Sequence, residues 1–172
     1  MPTRDTLFST LPDDARCWIY TADQPLTNAE QETLLNTLTT FFESWTSHSR
    51  PVQGDAVIMD DRFLIVAATL AAGDISGCGI DKSVHAVETV AQDMGFTWTS
   101  PLQIFFRDAD GTVQHTSRPA FRRLVGEGTV TANTPVFDVS LTTLGPLRNG
   151  AFELPAGRSW HARIFRIPQP AA

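Results

Sequence analysis

Six consecutive apolar residues, Phe63-Leu-Ile-Val-Ala-Ala68, constrain the fold more than any other feature of the chain. Strand side chains alternate between two faces, so a run with no polar member needs cover on both sides. Its β-branched content suits a strand, and it is far too short to span a bilayer. Asp60-Asp61, a pair suited to a tight turn, separates Val52 to Met59 from Arg62 to Thr69. These segments form a β-hairpin whose second strand lies at the centre of a sheet.

The neighbouring segments supply the rest of a layered fold. Cys17-Trp-Ile-Tyr-Thr21 is aromatic and β-branched, bounded by Asp23 and Pro25, and forms a first strand. Thr27-Asn-Ala-Glu30 fits a capping box. Leu34, Leu35, Leu38, Phe41, Phe42 and Trp45 then recur at three- and four-residue spacing, which predicts an amphipathic helix. Pro51 ends this helical region, with His48 as a C-terminal cap beside Trp45. Ile80, Val84, Val87, Ala91 and Met94 mark a second helix, stopped by Gly95.

Asp108-Ala-Asp-Gly111 joins Leu102–Phe106 to Thr112–Thr116 in another hairpin, and Ser117 caps a short helix through Phe121 and Val125. Residues 128–155 are turn-rich, with Val136 to Val139 as a strand. The segment 159–167 alternates well enough to predict a closing strand.

Strand, helix, strand, strand, helix, strand is the split βαβ order. The expectation is an α+β fold with helices on one face of an antiparallel sheet. Residues 1–16 form an arm, 17–106 a ferredoxin-like βαββαβ core, and 107–172 a C-terminal extension of hairpin, short helix and final strand. A chain of 172 residues, 42% hydrophobic, is expected to bury one core and form a single domain.

Thirteen Lys and Arg against nineteen Asp and Glu leave a net charge of -6, with no basic stripe, so no nucleic-acid partner is expected. No apolar run near the start could serve as a signal peptide or anchor, which predicts a cytoplasmic protein with no membrane association. Cys17 and Cys78 lack CxxC spacing and are expected to be free thiols.

Chemistry concentrates in Ser76-Gly-Cys-Gly-Ile-Asp-Lys-Ser-Val-His85, at the expected start of the second helix. Gly77 and Gly79 allow amide groups to converge, and the helix dipole adds positive charge; both favour an anion, or a thiolate at Cys78. Asp81, Lys82 and Ser83 supply polar groups to the same turn. A plain structural use is open beside this one: Asp81 caps the helix, Cys78 fills space, and the glycines permit close packing.

A cysteine nucleophile needs a base, so the histidines matter. His85 follows Asp81 by four residues on one helix face. His161 and Arg163 share a face of the expected last strand, where Arg163 would hold an anion and His161 would serve Cys78 if the strands are neighbours. His48 lies at the far end of the first helix, and His115 has no motif around it. No P-loop, HExxH, GxSxG or GxGxxG string occurs, nor an arginine six residues after Cys78. Turn chemistry accounts for Asp60-Asp61 and for Asp108 with Asp110, so neither metal nor cofactor is expected.

Trp18-Ile-Tyr20 with Pro25-Leu-Thr27, Trp45-Thr-Ser-His48, the pattern SGC-x-ID-x-SV from Ser76, and Ser159-Trp-His-Ala-Arg163 together resemble an uncharacterised bacterial family, common among Bacteroidetes-related lineages. Its members often carry the label of transporter ATPase, which implies a Walker motif that this sequence lacks. The resemblance implies a bacterial, intracellular, single-domain protein and supplies no substrate; its pattern leaves position 82 variable. Three functions stay open: a non-catalytic module binding a small anion or a partner protein, a cysteine-dependent enzyme, and a homo-oligomer built on a sheet edge.

Overall fold

The computed structural model describes residues 7–168. The fold is α+β, with antiparallel sheets and five helices among the described residues. The chain divides into two compact units, one running to Thr99 and including Leu141–Arg148, the other comprising Ser100–Ser140 and Asn149 onward. No described helix is long and apolar enough to cross a membrane.

In the first unit, β1 (Arg16–Thr21), β5 (Phe63–Thr69) and β4 (Gln53–Met59) form one sheet with β5 central. Phe63 through Ala68 are all buried, as an apolar run requires when both faces are covered. Asp60 and Asp61 adopt φ of 51° and 54°, a left-handed pair at the centre of a tight turn in which the Arg62 amide donates to the Met59 carbonyl at 3.1 Å.

Helix α1 (Asn28–Ser44) starts from the expected capping box: Thr27 Oγ1 accepts the Glu30 amide, and the Glu30 carboxylate accepts the Thr27 amide. Leu34 and Leu38 are fully buried, in one cluster with Leu64, Val66 and Val87, and Leu35 packs against it half-buried. The helix ends at Ser44. His48 is therefore no helix cap; with Ser49 it makes an exposed left-handed turn between the short strands β2 (Thr46–Ser47) and β3 (Arg50–Pro51). Helix α2 spans Gly77–Met94 and is closed by Gly95 at φ 79°, the conformation glycine adopts without penalty.

The fourth and last strand of the expected βαββαβ core lies elsewhere. β6 (Ile104–Arg107) pairs with β7 (Val113–Thr116) on one side and with β8 (Pro135–Phe137) on the other. Both its edges are taken, so it cannot join β1. The local hairpin through Gly111, at φ 80°, ties it to its own sequence neighbour. With β9 (Glu153–Pro155) these strands form the sheet of the second unit, in the order β7-β6-β8-β9.

Helix α3 (Arg118–Gly126) is capped by Ser117, as its sequence indicates. Helix α4 (Leu144–Arg148) lies in the stretch expected to be turns. The expected closing strand is α5 (Trp160–Phe165). Ser159 Oγ accepts the His161 amide, a helix-starting bond, and His161 and Phe165 are both buried four residues apart. That spacing belongs to a helix; the apparent alternation already fails at Phe165.

Candidate functional site

The first turn of α2 is assembled by residues far apart in sequence. Ser76 is its N-cap, accepting the Gly79 amide at 3.2 Å, while the Ile80 amide bonds the Ser76 carbonyl at 2.9 Å. Ser47, only 1% exposed, holds Ser76 in place. Its Oγ accepts the Ser76 amide and donates to Ser76 Oγ, both at 2.9 Å. The Trp45 indole N–H donates to the Gly79 carbonyl at 2.8 Å in the core.

These contacts decide between the expected roles of the turn. Ser76, not Asp81, caps the helix, and Asp81 is an exposed residue of its first turns. Gly79 serves packing: a Cβ there would lie 2.9 Å from Ile75 Cγ2 and 3.1 Å from both Cβ and Oγ of Ser47. Gly77 has nothing within 4 Å of an added Cβ. Ser83 is buried and its hydroxyl donates to the Ile80 carbonyl at 2.7 Å, so it presents nothing to a ligand.

What remains open is small. Cys78 is exposed, and the Gly77 and Cys78 amides, at the first two helical positions, have no acceptor among the described residues. Lys82 extends its ammonium to the carbonyl and hydroxyl of Thr46, each at 3.5 Å. His85 is exposed but lies seven residues beyond Cys78, a rise of about 10 Å along the helix, so the two side chains do not hydrogen-bond.

His161 belongs to the second unit and is 1% exposed there. Its Nδ1 shares a 2.9 Å hydrogen bond with Ser159 Oγ, and its ring stacks on Trp160 with centroids 3.7 Å apart. Burial pushes its pKa down to about 4; Asp138 opposes the shift and Arg118 adds to it. A neutral, enclosed imidazole results. Arg163 follows by two residues, about 200° around a helix, and is exposed. The pair expected on one strand face is thus split between core and solvent.

The aspartates also resolve. Asp108 Oδ1 accepts the amides of Asp110 and Thr112, which is turn chemistry. No group of three or more His, Cys, Asp or Glu residues among the described residues has the geometry to hold a metal ion. Cys17 is buried, which raises its pKa to about 11.

Two features escaped the sequence. Arg148, in α4, donates to the carbonyls of Leu7, Phe8 and Leu11 and pairs with Asp13, pinning the N-terminal segment from about 140 positions away. Ser47 and Trp45 brace the α2 turn; the only hint was their adjacency in the string Trp45-Thr-Ser-His48. Comparison with protein-family models, curated proteins and solved structures returns no match for the chain.

Proposed function

We propose that the chain is a non-catalytic binding or interaction module that takes a small anion, or the carboxylate of a partner, at the first turn of α2. The observation that carries this is the pair of open amides at Gly77 and Cys78, at the positive end of an 18-residue helix. Ser47, Ser76 and Trp45 hold that turn rigid, so an anion would bind without ordering it first. Kinship with the bacterial family of the SGC-x-ID-x-SV pattern is part of the same proposal and rests on those motifs alone.

Exposure of Cys78 favours a second reading, a cysteine-dependent enzyme. Against it, His85 is two turns away and the His161 ring is enclosed and bonded to Ser159.

Titration of the ¹⁵N-labelled chain with inorganic phosphate or sulfate tests the binding reading. Saturable shifts centred on the Gly77 and Cys78 amides are expected. Linear shifts spread over the surface would remove the anion site. Alkylation of Cys78 at neutral pH several hundred times faster than free cysteine would favour the enzyme instead.

A further inference from the structure

Charge is divided unevenly along the chain. The second unit carries seven arginines and no lysine against five carboxylates, within a protein whose net charge is -6. Arg107 is paired with Glu153; the other six, Arg118, Arg122, Arg123, Arg158, Arg163 and Arg166, have no ion pair among the described residues. Two of them face one cavity.

That cavity, of about 660 Å³, opens between the end of α3 and the end of α5. Arg122 lines it from α3, its guanidinium over the Phe165 ring at 5.9 Å from the centroid, and Arg166 lines it from the end of α5. Val125, Ile164 and Phe165 line it with apolar side chains, and Ile164, 44% exposed, offers the most open surface of the three. A second cavity of about 230 Å³ adjoins it, sharing Val125 and Pro168, and continues toward Val130 and Ala132. Arg166 itself sits at φ 53°, ψ 48°, the left-handed position after a helix where glycine is favoured. An arginine there strains the backbone at a position that lines the cavity.

We infer that this cavity binds a small organic anion: a carboxylate or phosphate head held between Arg122 and Arg166, on an apolar body lying against Ile164 and Phe165. Guanidinium groups suit such heads because their planar fork donates two parallel hydrogen bonds. Two cations beside an apolar wall select an amphipathic ligand over a bare ion. A unit with a formal charge of only +2 lacks the strongly basic surface of a polyanion reader, which favours a small ligand. The site shares no residue with the α2 turn and does not depend on it.

The test titrates the ¹⁵N-labelled full chain with benzoate and with phenyl phosphate, using benzyl alcohol and inorganic phosphate as controls, and reads residues 122–126 and 164–166. Saturable shifts there are expected with one or both acids, the stronger acid identifying the head group, and binding at least tenfold weaker for each control. Arg122→Gln is expected to weaken the acid tenfold or more. Arg166→Gly, which relieves the left-handed strain, is expected to weaken it similarly without lowering the melting temperature. Should Arg122→Gln not fold, Arg166→Gly decides alone. Unchanged affinity in the folded variants, equal binding by inorganic phosphate, or shifts only with a poly-glutamate peptide would overturn the inference.

Discussion

Gly77 and Gly79 look alike in sequence, yet replacing each by alanine is expected to move stability in opposite directions. Gly77 heads α2 with nothing within 4 Å of an added Cβ. Alanine there reduces the freedom of the unfolded chain and suits a helix, a gain of about 0.5–1 kcal/mol. At Gly79 the same propensity gain meets contacts of 2.9 Å to Ile75 Cγ2 and 3.1 Å to Ser47 Cβ and Oγ. Ile75 and Ser47 are buried, and Ser47 Oγ makes both 2.9 Å bonds to Ser76. Overpacking of this kind costs about 1–3 kcal/mol, and loosening one of those bonds costs about 1 more. Net loss for Gly79→Ala is then about 1–3 kcal/mol, and the two variants should differ by about 2–4 kcal/mol. Urea unfolding followed by tryptophan fluorescence measures this as midpoints separated by about 1 M or more. A Gly79→Ala protein as stable as Gly77→Ala would refute the packing explanation and return Gly79 to the list of residues kept for a ligand.

Iodoacetamide should label one thiol of the native protein, the exposed Cys78, and two in urea, because Cys17 is 2% exposed; equal native rates by mass spectrometry would contradict this. With its pKa held at about 4, His161 stays neutral in the fold while the unfolded chain protonates near 6.5. Its contribution is therefore complete above pH 6.5 and lost as the pH falls toward 4, by up to about 3 kcal/mol. Denaturant midpoints across that range should fall in the native protein and flatten in His161→Gln; identical profiles would place the titration elsewhere. Arg148→Ala leaves the Leu7, Phe8 and Leu11 carbonyls without their shared donor and should cost about 2–4 kcal/mol. Limited proteolysis should then cut within residues 7–13 first, and a cleavage rate matching the unaltered chain would show that this clamp contributes little.

The parts of the fold legible beforehand are those encoded within a few positions. Thr27 and Glu30 cap their helix across three residues, Asp60-Asp61 and Asp108 to Gly111 turn their hairpins, and the unbroken run from Phe63 to Ala68 demands burial on both faces. The α2 segment stands out for the same reason, its composition being unusual over ten residues, although the cap is Ser76 and not Asp81. Close packing at Gly79 was one of the uses its sequence left open, but its neighbour Ser47, 32 positions away, left no local sign.

The remaining decisions were tertiary. β6 left the first sheet because β7 and β8 together took both its edges. Residues 160–165 became a helix because burying His161 and Phe165 on one side outweighed a weak alternation. Arg122 and Arg166 met across a cavity through the packing of α3 beside α5. Short-range chemistry, written in neighbouring residues, determined caps, turns and the central strand. Pairings between distant segments leave no local pattern, so only the packed structure decided which sheet a strand joins, which glycine lacks room for a methyl group, and where the unpaired arginines gather.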